Sequence, residues 1–333
     1  MRIDIQNQLP RLDVEGRPMD CHDGCLRRFE GRYYLYGTRY GDTDGFTPAN
    51  RLVCYSSEDL TRWRSEGEIL ARPMDGVCYR PYVVWNPASR RYVLWFNWYP
   101  KLWEGQFAVG VSQRPTGPFE IFDADVSVVQ PEPGDHNVFV DDDGRAYLIY
   151  TSIPGDGSGH HGMSVERLDA DFTASSGENG GVFATGVEAP AIFKRDDVYR
   201  ALFGNTCCFC PEGAGVNVYR ARSPLGPWEL ETQLNEVEGK SSDGSANGKE
   251  VRRVAGQQTD VAVIPTLGDV GEGAGPGRGG GVTYLWMADL WGSRPDGIKG
   301  HDLQHWEPLE FDASGTPRPL RGVKRFSLEL AED

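Results

Sequence analysis

No stretch of the 333 residues approaches the run of about 20 apolar residues needed to cross a bilayer as a helix. The opening MRIDIQNQLPRLDVEG lacks the basic and apolar regions of a secretory signal. The expectation is therefore a cytoplasmic chain, or a secreted one if a signal has been removed. Basic residues are scarce: 34 Lys and Arg stand against 49 Asp and Glu, a net charge of −15. That balance argues against nucleic acid or an anionic membrane as the main partner, because both need a basic surface. A neutral or cationic ligand stays open. The seven cysteines, at 21, 25, 54, 78, 207, 208 and 210, follow no common zinc spacing. They are expected to be reduced, mostly buried thiols, although TCCFCPEG leaves room for a vicinal disulfide or a metal. Helical periodicity is scarce, and no Gly-His/Trp-Asp pair marks a WD40 repeat.

What the chain does hold is repetition. A unit with a polar or acidic head, an apolar strand, a turn and an aromatic-rich strand occurs five times. The copies are HDGCLRRFEGRYYLYGT, YRPYVVWNPASRRYVLWFNW, DHNVFVDDDGRAYLIYTS, EAPAIFKRDDVYRALFGNT and, less regularly, GQQTDVAVIPTLG with VTYLWMADLWG. FEGR, NPASRR, DDDGR and KRDD lie between alternating runs, as hairpin turns do. The second halves of the units echo one another as well. VGVSQRPTGPFEI matches VYRARSPLGPWEL, and DLTRW (59–63) matches DLQHW (302–306). Four strands per unit repeated around a circle make a propeller blade. The expected fold is an all-β, five-bladed β-propeller over residues 1–333, with blades starting near 23, 79, 135, 188 and 256. The 42 glycines and 22 prolines suit its many turns. Two segments read as loops, EGKSSDGSANGKE (238–250) and the glycine-rich GDVGEGAGPGRGGG (268–281). The latter contains a formal G-x-G-x-x-G, but no helix pattern follows it, so it reads as a hairpin tip and not a dinucleotide site.

In a propeller the first strand of every blade lines the central channel, so strand heads distant in sequence converge near the axis. Asp23, Asp135 and Glu188 head units one, three and four. Three carboxyls aimed at one small space repel each other, and burial adds to that, so at least one pKa is expected to rise. A protonated acid facing an ionised one is what glycoside hydrolysis uses. Arg80 and Gln257 head units two and five and are candidate substrate contacts. His22 and His136, each beside one of the acids, are candidates for a sugar hydroxyl or a carboxylate. Trp98, Trp103 and Trp291 follow strand ends, where an indole serves as a sugar platform or as blade packing. Asp141, Asp142 and Asp143 read as turn residues, and His160–His161 as part of a solvated glycine-rich loop.

This ordered set resembles glycoside hydrolase family 43, whose members are five-bladed propellers that mostly hydrolyse pentosides and galactosides with inversion. Asp23 stands ten residues before Tyr33 of the paired aromatics, DHNVFVDDDG carries the third-blade Asp, and VEAPAIFKR carries the fourth-blade Glu. The resemblance implies that Asp23 is the general base, Glu188 the general acid, and Asp135 the residue that holds Glu188 and tunes its pKa. It implies an exo-acting enzyme that removes a terminal arabinofuranose, xylose or galactose from an oligosaccharide or glycoside. YRP at 79–81, GQQT at 256–259 and SPLGPW at 223–228 are similar to the exo-β-1,3-galactanase branch. That branch carries a Glu where this chain has Tyr79, and it commonly lacks the first-blade Asp that this chain has. The first motif is Asp-Gly here instead of Asp-Pro. Family members often hold calcium in the channel beside a fifth-blade His. GQQTD offers none, so no cofactor and no metal ligand is assigned, with calcium the one ion left open. Sequence alone also leaves open a retaining mechanism, and an inactive sugar-binding propeller as the alternative function. The fructan-cleaving propellers need a Glu-Cys pair in place of EAP, and a protein-interaction propeller gives no reason for three acidic heads.

Overall fold

In the computed structural model, residues 1–101, 104–153, 161–207, 209, 211–236, 252–267 and 281–331 are described. The glycine-rich tip, the 238–250 loop, Trp103, His160, Cys208 and Cys210 lie outside them or at their margins. The chain starts with β1 (Arg2–Gln6) and then builds five sheets. Blade one is β2 (His22–Phe29), β3 (Arg32–Arg39), β4 (Arg51–Ser57) and β5 (Arg64–Glu68). Blade two is β6 (Val77–Asn86), β7 (Arg91–Lys101), β8 (Glu104–Ser112) and β9 (Glu120–Val126). Blade three is β10 (Pro133–Val140), β11 (Ala146–Ser152), β12 (Gly162–Leu168) and β13 (Ser175–Thr185). Blade four is β14 (Val187–Arg195), β15 (Val198–Asn205), β16 (Asn217–Ala221) and β17 (Glu229–Gln233). Blade five has three strands among the described residues, β18 (Gln257–Thr266), β19 (Gly281–Leu290) and β20 (Leu303–Pro308). Every blade is an antiparallel meander, and the innermost strands β2, β6, β10, β14 and β18 pack in a closed cycle. This is the five-bladed propeller expected from the repeats.

The fifth blade departs from the four-strand pattern. Beside it lies a separate two-stranded sheet in which β1 pairs antiparallel with β21 (Arg325–Glu329). Asn7 joins this sheet to β20 by exchanging hydrogen bonds with the Trp306 backbone, its Nδ2 donating at 2.8 Å and its Oδ1 accepting at 3.0 Å. The two echoing Asp-Leu segments meet here, with the rings of Trp63 and Trp306 edge to face at 6.1 Å. Apolar clusters fill the spaces between blades. Tyr36, Tyr82, Leu94, Trp95 and Phe107 belong to the largest and are all buried. The large side chains follow from the geometry: blades splay outward from the axis, and aromatics fill a widening gap with few rotatable bonds.

One local feature positions the site. Each innermost strand carries a one-residue bulge at its head, where the ladder with the second strand shifts register. Regular pairing resumes at Cys25, Tyr82, His136, Ala191 and Asp260. A bulge breaks the strict alternation of side chains and re-aims them. In three blades a non-glycine bulge residue adopts a left-handed backbone: Asp23 (φ 51°), Arg80 (φ 56°) and Ala189 (φ 56°). Such a conformation costs an L-residue roughly 1–2 kcal/mol, and strain of this kind clusters at functional sites. Gly24 completes the bulge of blade one. A Cβ there would lie 2.0 Å from the Tyr36 carbonyl oxygen, which is the physical reason that the first motif is Asp-Gly.

Candidate active site

The bulges open onto a cavity of about 130 Å³ at one end of the axis. Asp23, Asp135 and Glu188 all line it, and so do Arg80, Gln257 and Trp291. The three acids do not share one register position. Counting back from the residue where pairing resumes, Asp135 is one residue before His136, Asp23 two before Cys25 and Glu188 three before Ala191. In a regular strand, adjacent positions point to opposite faces. The bulges let three successive offsets face the same space.

Asp23 is almost fully buried. Its Oδ1 accepts from Thr38 Oγ1 (2.7 Å) and from the Arg80 backbone N–H (3.1 Å), and its Oδ2 accepts from the Tyr40 hydroxyl. Burial pushes its pKa up, against the Arg80 charge and the Tyr40 and Thr38 hydrogen bonds, to about 6. Asp135 spans two blades, with Oδ1 3.1 Å from Arg80 Nε and Oδ2 accepting from the Ala189 N–H at 3.1 Å. Glu188 Oε1 accepts from the Cys207 N–H (2.8 Å) and from Gln257 Nε2 (2.6 Å), and Trp291 Nε1 in turn donates to Gln257 Oε1 (2.9 Å). The other oxygen, Oε2, lies 3.7 Å from His161 Nδ1. Burial and the neighbouring Asp135 charge raise Glu188 to about 7.

Two groups of aromatic rings form walls. Phe46, Tyr79 and Tyr99 pack together with centroids 5.1–5.8 Å apart, and the Tyr79 hydroxyl donates to that of Tyr99 at 3.2 Å. Tyr40, Phe209 and Trp291 form a second group at 5.0–5.8 Å. Apolar walls with a few converging polar groups suit a ligand that carries C–H faces and hydroxyls together.

Three residues expected to touch substrate do not reach the cavity. His22 is buried behind it, its Nδ1 paired with Asp289 Oδ1 at 2.9 Å and its ring against Trp291 at 5.4 Å. Burial lowers its pKa, but the charge and hydrogen bond of Asp289 win and raise it to about 9. His136 is the residue at which blade three resumes regular pairing, so its ring lies below the cavity between Tyr82 (5.1 Å) and Phe107 (4.9 Å), with Nδ1 against Asn97 Oδ1 at 2.9 Å. Burial and the Arg80 charge hold it well below the ordinary histidine range, hence neutral. Trp98 lies further out on β7, where its indole N–H donates to the Asp75 carbonyl at 2.6 Å and its ring packs on the blade-two core. Conversely, His161 lines the cavity, although its loop reads as solvated in sequence. Tyr40, Phe46, Tyr99 and Phe209 also line it without any sequence signal beyond being aromatic. Asp141 is a turn residue as expected, its carboxylate accepting from Lys194 (3.1 Å) and from the Tyr199 hydroxyl (2.6 Å). Cys21, Cys25, Cys54 and Cys78 are free and buried, whereas Cys207, whose N–H holds Glu188, is disulfide-bonded and departs from the expectation of reduced thiols.

The polar groups that line the channel around Arg27 pair with one another. At its axis the Arg27 guanidinium occupies the space between blades and pairs with Asp260 Oδ2 at 2.5 Å. The same oxygen accepts from the Leu26 N–H (3.1 Å), and Asp260 Oδ1 accepts from Asn137 Nδ2 (3.0 Å). Donors thus take both oxygens of Asp260, and Gln258 spends its amide on the Ala189 carbonyl and on Trp286. No group of three or more His, Cys, Asp or Glu side chains suited to a metal occurs among the described residues.

Comparison with known proteins accords with this geometry. The family model described as glycosyl hydrolases family 43 matches residues 17–262. No curated protein sequence matches the chain. Among solved structures, an exo-β-1,3-galactanase from Clostridium thermocellum is 22% identical, with a TM-score of 0.75 over 99% of this chain and 69% of that one. A family 43 β-1,3-galactosidase in complex with galactodeoxynojirimycin is 24% identical, with a TM-score of 0.72 over 94% of this chain and 97% of that one. An exo-β-1,3-galactanase from Phanerochaete chrysosporium with β-1,3-galactotriose is 21% identical, with a TM-score of 0.71 over 98% of this chain and 70% of that one. At these identities the structural likeness speaks for the fold, and the family match covers most of the chain. The chain belongs to glycosyl hydrolase family 43 and is a glycosidase built on a five-bladed propeller.

Proposed function

We propose that the protein is an inverting, exo-acting glycosidase that removes a terminal galactose unit from an oligosaccharide. Asp23 acts as general base, Glu188 as general acid, and Asp135 orients Glu188 and raises its pKa. The observation that carries this reading is the meeting of the three carboxyls in one small, aromatic-walled cavity, with the Asp23 pKa near 6 and that of Glu188 near 7. Between those values Asp23 is largely ionised and Glu188 largely protonated, the division of labour that inversion requires.

The hydrogen bonds support the assignment atom by atom. Glu188 Oε1 is taken by two N–H donors, so the acidic proton resides on Oε2, which lies 3.7 Å from His161 Nδ1 and is placed to reach a glycosidic oxygen. Asp23 is fixed by three donors, which keeps its carboxylate oriented while Oδ2 retains a lone pair for water. Water attacks the anomeric carbon as its proton passes to Asp23. The C–O bond to the leaving group breaks as Glu188 delivers its proton to the departing oxygen. Asp135 bonds the N–H of Ala189, the residue after Glu188, and its negative charge favours the protonated acid. The small cavity supports removal of a single end unit. Galactose is favoured because structural neighbours are described as exo-β-1,3-galactanases and a β-1,3-galactosidase. The test is a panel of aryl and β-1,3-linked glycosides of galactose, arabinofuranose and xylose, with the product anomer followed by NMR. Release of α-galactose from a β-galactoside, one unit at a time, is the expected result. First-formed product with retained configuration refutes the assigned roles, and turnover of a pentoside alone refutes the sugar.

A further inference from the structure

The left-handed bulge residues share a second property. Each donates its backbone N–H to a carboxylate on the preceding blade. Arg80 of blade two donates to Asp23 Oδ1 of blade one at 3.1 Å, and Ala189 of blade four donates to Asp135 Oδ2 of blade three at 3.1 Å. Asp23 of blade one donates to Asp289 Oδ2 of blade five at 2.6 Å. The first two acceptors line the cavity. Asp289 does not: it lies near the end of β19, only 1% exposed. A buried carboxylate is costly unless it is fully paired. Asp289 directs both oxygens at the head of blade one, Oδ2 to the Asp23 N–H and Oδ1 to His22 Nδ1 at 2.9 Å. Thr38, Tyr40 and the Arg80 N–H hold the far end of Asp23, its carboxylate. Asp289 holds the near end, the peptide whose left-handed turn aims that carboxylate inward.

We propose that Asp289 is a positioning residue for Asp23, locking the blade-one bulge so that the carboxylate of Asp23 faces the anomeric carbon of the substrate. The proposal rests on the reading of Asp23 as general base. Without an acceptor at Asp289 the Asp23 N–H is buried unpaired, and the peptide gains by turning toward the extended backbone ordinary for a strand, which swings its side chain away.

The test compares Asp289→Ala, Asp289→Asn and Asp23→Ala on a nitrophenyl glycoside that the wild-type protein cleaves, with and without sodium azide. Azide needs no general base: it forms a C–N bond to the anomeric carbon while the C–O bond to nitrophenolate breaks, and the product is a glycosyl azide of inverted configuration. A displacement of the base by about 1 Å lowers kcat about 100-fold. Asp289→Ala is expected to show that loss with KM changed less than about threefold, and azide is expected to restore its rate as it restores that of Asp23→Ala. Asp289→Asn, whose amide oxygen still accepts from the Asp23 N–H, is expected to keep most of the activity. The positioning role is overturned if folded Asp289→Ala works at the wild-type rate while Asp23→Ala is inactive. It is also overturned if azide rescues Asp23→Ala but not Asp289→Ala, which assigns the loss to general structural damage. An active Asp23→Ala instead overturns the reading of Asp23 as base. Where the alanine variant does not fold, Asp289→Ser is judged by the same outcomes.

Discussion

Replacing Glu188 by Gln isolates one proton. The amide oxygen takes the place of Oε1 and keeps the bonds from the Cys207 N–H at 2.8 Å and Gln257 Nε2 at 2.6 Å, so the fold and the cavity wall stay as they are. In the wild-type protein kcat/KM should peak between the Asp23 value of about 6 and the Glu188 value of about 7. One pH unit beyond either limb it should fall to about a tenth. The variant should lose the alkaline limb outright. On a β-1,3-linked disaccharide, whose leaving alkoxide needs a proton, the loss should be about 10²–10⁴-fold. On a nitrophenyl glycoside, whose leaving oxygen departs unprotonated, it should be about tenfold or less. Stability supplies an independent check. The folded-state pKa of Glu188 lies above the 4.5 of an ordinary glutamate, so the fold favours the protonated form. Its contribution is complete below about 4.5 and is lost as pH rises through about 7. At about 1.4 kcal/mol per unit, the ionised group costs the wild-type protein about 3.5 kcal/mol at most at pH 8. Glu188→Gln should therefore unfold at a higher temperature than wild type at pH 8 and at a similar one at pH 4, measured by calorimetry. Equal activity losses on the two substrates, or an alkaline limb that persists near 7, would refute the assignment of Glu188 as the acid.

Tyr40→Phe removes the hydroxyl that donates to Asp23 Oδ2 and lowers its pKa, so the acid limb of the kcat/KM profile should move upward by about one unit and narrow the optimum. An unmoved limb in the pH–rate profile separates Asp23 from that limb. Arg27→Met leaves Asp260 buried without its cation and should destabilise the fold by about 3–5 kcal/mol in a denaturant titration, with Arg27→Met/Asp260→Asn recovering part of the loss. Because Arg27, Asn137 and the Leu26 N–H take the oxygens of Asp260, dialysis against a chelator should leave both turnover and melting temperature unchanged. A loss that calcium restores would show that the axial ion pair does not replace a metal.

The five blades were legible because a hairpin writes itself locally, as alternation on both sides of a turn, and because the heads of the units recur in the chain. The depth of each acid within its bulge was not. Asp23, Asp135 and Glu188 lie at three different offsets from the resumed ladder, and no residue pattern marks how a one-residue insertion rotates its neighbours. The same rotation explains the misplaced histidines. His22 and His136 adjoin the acids in sequence, yet one faces Asp289 behind the cavity and the other is at the first regular pair beneath it. Trp98 and Trp291 look alike as indoles at strand ends, but Trp98 turns to the Asp75 carbonyl in the connection before β6, while Trp291 turns to the Gln257 side chain in the cavity. The aromatic walls were hidden for another reason. Tyr40, Phe46 and Phe209 come from connections between strands, where composition carries no periodicity to read.

The bulges also tie catalysis to the closure of the ring. Asp23 and Asp135 each accept an N–H from the next blade as well as facing the cavity, so each carboxylate that the proposal makes a reacting or tuning group is also a clamp between blades. A left-handed Arg80 or Ala189 is unfavourable alone, and the clamp offsets that cost by satisfying a buried N–H. The coupling runs in both directions. A blade that shifts outward pulls its N–H from the carboxylate and moves the acid, while an acid that is removed frees the strained bulge of the following blade. Asp23→Ala should then lose stability as well as turnover, because the Arg80 N–H is left with Thr38 alone. Glu188 is tied differently: its Oε1 accepts from the Cys207 N–H, on its own blade's connection, and from the Gln257 side chain of blade five, so its link to the next blade is through a side chain and not through a strained backbone N–H. On the proposed roles, both links of the acid end on Oε1, so the proton exchanged in each turnover belongs to the other oxygen and the bulge backbone of the following blade is not its partner.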